Sequence, residues 1–267
     1  MSLPAFTAAG RGGTAVLLLH GIGGGRSIWL DGGSGTVSAL AQAGYSAVAI
    51  DLPGYGESAG TPDMDSMVQA VLDVADHIGA QFATSRTVLL GHSMGGMVAQ
   101  EVAARHPHRL QGLVLACTSA SFGKADGAWQ AQFIADRLAP LDAGLGMTGM
   151  AKKLVPGMVS PRAPKAALQV AMDVMARVPE ATYRTALRTI AGFDRRAALA
   201  HITVPTLLLA GEHDRTAPPD VMQRMAARIP GSSFECLADA GHIVNVEIPA
   251  PFNAAVLAFL QRRFAIA

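Results

Sequence analysis

Short apolar runs alternate with longer amphipathic segments along most of this chain. Residues 15–19, 45–50, 87–90, 110–116, 204–210 and 233–237 read as strands. Between them, residues 34–43, 64–78, 97–104, 218–229 and 248–264 carry helix-type patterns. Gly44, Gly79 and the His106-Pro107 pair are the expected stops of the first three. Apolar strands alternating with helices predict an α/β domain with a mostly parallel sheet and helices on both faces. Residues 122–196 break the rhythm. They lack strand runs and hold four helix-compatible segments, 126–138, 147–154, 163–177 and 180–191. The expected organisation is therefore a core of residues 1–121 and 197–267, with a helical insertion at 122–196 placed to act as a lid. Met147, Met150, Met158, Met172 and Met175 all fall in that insertion. Flexible thioethers suit an adaptable pocket lining, and equally suit ordinary core filling.

Bulk properties narrow the function classes. The chain has 267 residues, half of them hydrophobic and only 15% charged, which supports a large buried core. A net charge of +1 gives no electrostatic footprint for nucleic acid. No apolar stretch reaches the ~18 residues of a membrane span, and the first residues lack a secretory pattern. A cytoplasmic protein with a small-molecule partner, and neither nucleic acid nor membrane, is the expectation; oligomeric state is not legible. Cys117 and Cys236 each sit in an apolar run and read as buried free thiols. No cysteine pair has metal-ligand spacing, so no metal site is expected.

The chemistry centres on Ser93. It lies in Gly91-His92-Ser93-Met94-Gly95, after an apolar run and before a helical one. Strand, tight turn and helix form the context of a nucleophile elbow. A serine hydroxyl needs a base, and the base needs a group to orient it. Asp214 follows the 204–210 run, and His242 lies in the loop after the next strand. A parallel sheet delivers such loops to one edge, so the three can converge. Glu212 and Asp239 compete with Asp214, which is favoured because the strand has opened into a loop there. Among other histidines, His92 should point away from the serine face, while His20 and His213 sit at strand ends. The backbone amides of Met94 and of Ile22, in the loop Gly21-Ile22-Gly23-Gly24, are the expected oxyanion donors. That loop also suggests a dinucleotide fingerprint, but Arg26 stands where the third glycine belongs and Asp51 is far for a ribose acid.

Five stretches together resemble the α/β-hydrolase superfamily over nearly the whole chain. They are His20-Gly21, Asp51 to Ser58, Gly91 to Gly96, Pro205 to Asp214, and Gly241-His242. The chain looks most like the 3-oxoadipate enol-lactonase group and its carboxylesterase relatives, notably from Phe193 to Asp214. That resemblance implies an α/β-hydrolase fold with a helical cap, no metal and no organic cofactor. It implies hydrolysis of a carboxylic ester or lactone through an acyl-enzyme on Ser93, with Asp214 and His242 completing the triad. C–C bond hydrolases of ring-fission products are similar too, and share Ser-Met-Gly-Gly, but usually carry asparagine where this chain has His92. A serine nucleophile argues against haloalkane dehalogenases. A ligand-binding protein without catalysis is a further alternative on the same fold. The family's N-terminal hairpin should be short or partly absent, since about 14 residues precede the strand at Ala15. An acidic substrate would want a cation, for which Arg26, Arg184 and Arg188 are candidates against a solvated-surface reading. Trp29 and Trp129 either line the pocket or pack in the core.

Overall fold

The computed structural model describes residues 3–82, 87–123 and 127–264. Its strands are β1 (Phe6–Ala9), β2 (Ala15–Leu19), β3 (Ser46–Ile50), β4 (Thr87–His92), β5 (Leu110–Ala116), β6 (Thr206–Gly211) and β7 (Ser233–Leu237). They form one sheet in the order β1-β3-β2-β4-β5-β6-β7. Only β1 runs antiparallel, against β3. Among the described residues before Ala15, β1 is a strand of four residues.

The helices are α1 (Thr36–Gln42), α2 (Met64–Phe82), α3 (Met94–Arg105), α4 (Ala128–Asp142), α5 (Gly146–Leu154), α6 (Lys165–Ala176), α7 (Glu180–Ala191), α8 (Pro219–Ala226), α9 (Val244–Glu247) and α10 (Pro249–Arg263). Helices α2 and α3 pack together over the centre of the sheet, while α1 packs on β3 and against α10. Covered on both faces, β2 reads as a continuous apolar run whose Leu17, Leu18 and Leu19 are fully buried. Each such leucine contributes about 1.5–3 kcal/mol of transfer free energy. At Gly112 of β5, a Cβ would lie 2.5 Å from the Phe264 ring, so glycine lets the end of α10 close onto the strand.

Helix α2 differs from its expected extent, running past Gly79 to Phe82. A mid-helix glycine costs only about 1 kcal/mol, and burial of Met67, Val71, Val74 and Ile78 outweighs it. Helix α4 continues through Pro140 to Asp142, four residues beyond the expected end. Cys236 is exposed, contrary to expectation, because β7 is an edge strand and turns that residue to solvent; Cys117 is buried.

Helices α4–α7 form one insertion between β5 and β6. Its two ends are pinched together by an antiparallel bridge between Ser121 and Asp194. The Phe122 amide donates to Phe193 O at 3.0 Å and the Arg195 amide to Ala120 O at 2.7 Å. Among the described residues, no helix is long and apolar enough to cross a membrane.

Candidate active site

Ser93 joins β4 to α3 with φ 53° and ψ −117°, a sparsely populated conformation for a residue with a Cβ. Close approach of the chain on both sides explains the flanking glycines. A Cβ at Gly91 would lie 2.3 Å from Gly95 O, and one at Gly95 would lie 2.2 Å from Leu19 O. Hydrogen bonds hold the strained residue in place: its amide donates to Ala116 O at 2.9 Å, and its carbonyl accepts Thr118 Oγ1–H at 2.7 Å and the Gly96 and Met97 amides at 2.9 Å and 3.2 Å. The hydroxyl is left half-buried at the carboxyl edge of the sheet.

Loops after β6 and β7 bring Asp214 and His242 to the same edge. His242 Nε2 lies 3.0 Å from Ser93 Oγ, and its Nδ1 lies 2.8 Å from Asp214 Oδ2. Both side chains are almost wholly buried. The other carboxylate oxygen, Oδ1, accepts the amides of Thr216 at 2.7 Å and Ala217 at 2.9 Å. Burial alone would raise the Asp214 pKa, but the His242 imidazole and the two amides outweigh it and hold the carboxyl down at about 2. A permanent anion there requires the proton on Nδ1, leaving Nε2 free to accept the serine proton. Glu212 and Asp239, the rival acids, are engaged elsewhere. Glu212 accepts the Asp239 amide at 3.0 Å, and Asp239 pairs with Arg162 at 2.6 Å.

Ile22 and Met94 both line cavities at Ser93. Among the described residues, neither amide has a protein acceptor. The Gly21–Ile22 peptide is held from its carbonyl side: His20 Nδ1–H donates to Gly21 O at 2.8 Å, and the Gly24 amide donates to the same oxygen at 2.9 Å. In a planar trans peptide this turns the Ile22 N–H the opposite way. His20 Nε2 accepts the Leu52 amide at 3.1 Å, and burial keeps the ring neutral by lowering its pKa. This service of His20 to the loop is not visible in sequence spacing.

His92 does not simply face away. Its ring lies 5.1 Å from that of His242 and lines a cavity wall. Its Nε2–H donates to His242 O at 2.7 Å, so the nitrogen nearest the base is occupied. Burial and the neighbouring imidazole push its pKa down to about 4.

Two cavities meet at Ser93 and share Ile22, Met158 and His242. One is apolar and includes Ile28, Val155, Ala171 and Met175. The other includes Phe122, Phe133, Arg137, Tyr183 and Leu187. The insertion methionines therefore divide: Met158 and Met175 line the site, while Met147 and Met150 are buried core.

None of the expected substrate-side residues lines these cavities. Arg26 pairs with Asp51 at 2.6 Å and with Glu57, beside a different cavity. Arg184 pairs with Asp142 at 2.6 Å and Glu180 at 2.8 Å. Arg188 is exposed on α7. Trp29 is fully buried against Phe252 and belongs to the core. Trp129 is 40% exposed and stacks on Phe133 from outside the cavity. The cation that does line the site is Arg137, whose guanidinium sits 5.1 Å above the Phe133 ring. Among the described residues no carboxylate pairs with it. Its signal was the i,i+4 spacing of Phe133 and Arg137 on one helix face.

Among the described residues, two trios of donors approach metal-ligand geometry: His92, Cys117 and His242, and the outlying Glu212, His213 and Asp239. In the first, both His242 nitrogens and Nε2 of His92 already carry the hydrogen bonds given above. A metal would have to break them, so the donor set fits the triad rather than an ion.

A parallel sheet that presents serine, acid and histidine in that chain order at its carboxyl edge, with the serine on a strained turn, defines a class of hydrolases. The chain belongs to the alpha/beta hydrolase family, whose sequence model matches residues 16–255. A protein of Variovorax paradoxus (strain S110), provisionally named a carbamate hydrolase, is 33% identical over 257 residues, 94% of this chain and 92% of the relative. 3-oxoadipate enol-lactonase 2 of Acinetobacter baylyi is 30% identical over 82% of this chain and 79% of its own. Among solved structures, a thermophilic esterase from Thermogutta terrifontis superposes with a TM-score of 0.84 at 28% identity, covering 97% of this chain and 93% of the esterase.

Proposed function

We propose that this protein hydrolyses a carboxylic ester or lactone through an acyl-enzyme on Ser93. The observation that carries the reading is the unbroken relay from Ser93 Oγ to His242 Nε2 at 3.0 Å and from Nδ1 to Asp214 at 2.8 Å. Oγ attacks the carbonyl carbon while its proton passes to Nε2. The oxyanion is received by the amides of Ile22, in the loop after β2, and of Met94, at the first turn of α3; the reading is supported by both residues lining the cavities at Ser93. Nε2–H then protonates the departing alkoxide as the C–O bond breaks. Water enters, gives its proton to Nε2, and releases the acid by the reverse steps.

The insertion at residues 122–196 serves as the cap, since its Met158, Phe133 and Tyr183 wall the space above Ser93. Arg137 supplies the charge preference. It lines the cavity beside Tyr183, whose pKa is raised by burial and eased back by that guanidinium. The favoured substrate carries an anionic group that Arg137 receives.

Turnover of short p-nitrophenyl esters and labelling by a fluorophosphonate test the reading, with Ser93→Ala expected to abolish both. Protein that does neither is a ligand-binding member of the fold. Hydrolysis of a ring-fission dienoate without any simple ester would instead place it among C–C bond hydrolases.

A further inference from the structure

The mechanism leaves one buried carboxylate unused. Glu247, at the end of α9, is only 2% exposed and pairs with no cation among the described residues. Its Oε2 accepts the amides of Ser160 at 2.7 Å and Gly241 at 3.0 Å. Its Oε1 accepts the Ile243 amide at 3.0 Å. Gly241 and Ile243 are the two neighbours of His242. The amide of His242 itself donates to Met158 O at 2.7 Å, and its carbonyl accepts His92 Nε2–H at 2.7 Å. All three consecutive amides of this loop are thus committed, two of them to one carboxylate. A buried carboxylate earns its desolvation cost only through such hydrogen bonds. Burial raises its pKa and the three amides and the nearby imidazole oppose that.

Two of these ties cross to the insertion. Ser160 and Met158 belong to the segment between α5 and α6, and Met158 also lines both cavities at Ser93. The carboxylate therefore stands where the loop of the base meets the segment that walls the substrate space.

We propose that Glu247 is a positioning residue, clamping the His242 loop and fastening it to the insertion so that Nε2 is held on the Ser93 hydroxyl. The proposal rests on His242 acting as the base. Glu247→Gln is the probing variant. The amide oxygen must stay with the two donors at the Oε2 position, which aims the NH₂ at the Ile243 amide, donor against donor. The residue after the base is released while size is conserved.

On a p-nitrophenyl ester, with active sites titrated by fluorophosphonate, kcat per site should fall about 100-fold, the scale of a misplacement near 1 Å. KM should change much less than kcat, because Glu247 itself lines neither cavity. Proton NMR gives a readout needing no substrate: the parent protein should show a low-field Nδ1–H signal from the 2.8 Å His242–Asp214 hydrogen bond, and that signal should broaden or shift in the variant. A purely structural carboxylate would lower the melting temperature and leave both kcat per site and that signal unchanged, which overturns the proposal. Should Glu247→Gln not fold, Glu247→Asp, too short to reach all three amides, is judged by the same two readouts. Absence of ester turnover in the parent protein would defeat the hydrolase reading alone, since the NMR signal still decides the role of Glu247.

Discussion

Asp214→Asn tests the relay at its most exacting point. The replacement matches in shape but removes the charge and makes one terminal atom a donor. Asp214 Oδ1 accepts two backbone amides, Thr216 at 2.7 Å and Ala217 at 2.9 Å. An NH₂ in that place would face two donors, each left unsatisfied at about 1–3 kcal/mol. The carboxamide oxygen therefore stays there, and the NH₂ faces His242 Nδ1, now 2.8 Å from a carboxylate oxygen. Nδ1 must then accept, so the ring proton moves to Nε2 and points at the Ser93 hydroxyl. The base is blocked by its own tautomer. Loss of the correct tautomer and of the anion is expected to lower kcat about 10⁴-fold, or about 5 kcal/mol of barrier. The assay is steady-state hydrolysis of a p-nitrophenyl ester, with circular dichroism to establish that the variant is folded. Activity within tenfold of the parent would refute the reasoning, because a residue that only fills space tolerates this exchange.

Three further outcomes follow from the same geometry. The Asp214 carboxyl is held at about 2 in the folded protein, against an ordinary value near 4. Its contribution, about 2–3 kcal/mol, is complete above pH ~4 and is lost as pH falls through about 2. Urea midpoints measured from pH 5 to pH 2 should drop more steeply for the parent than for Asp214→Asn; parallel curves would contradict the assignment. His20→Phe keeps an aromatic ring against Tyr55 but loses the Nδ1–H bond to Gly21 O, so the Ile22 amide loses its aim. A fall in kcat of about 100-fold with little change in KM is expected, and an unchanged kcat would remove Ile22 as a donor. Arg137→Leu should raise KM for a half-ester carrying a free carboxylate about 10–100-fold, the range of a charged hydrogen bond. Neutral esters should be unaffected, and equal effects on both would show that the guanidinium only packs on Phe133.

What could be read in the chain, and what could not, divides by the kind of contact involved. Ser93, Asp214 and His242 could be grouped as candidates from the sequence because each lies at or shortly after the end of a strand run, and a parallel sheet gathers such ends at one edge. The insertion was legible for the opposite reason: strand runs stop near residue 122 and resume near 204. Side-chain direction was less accessible. Trp29 and Trp129 were candidates on size alone, yet Trp29 ends a single 3-10 turn facing Phe252, and Trp129 lies four positions before Phe133, on the outer side of the stack. The arginines failed for an electrostatic reason. Arg26 and Arg184 each find two carboxylates, and those of Arg26, Asp51 and Glu57, lie 25 and 31 residues away in sequence. A charge so satisfied has little left for a substrate. Arg137 lacks such a partner among the described residues, and that separates a cation in the pocket from a surface one. His20 and Glu247 were the hardest to see, because both act on backbone amides and carbonyls rather than on side chains. A peptide group has no residue identity, so no spacing of residue types could reveal which one needs a partner. Only the folded loop shows that three consecutive amides around His242 would be buried without acceptors unless a carboxylate and the Met158 carbonyl met them. The least legible groups are thus the ones whose partners are backbone atoms of the loops around the candidate site.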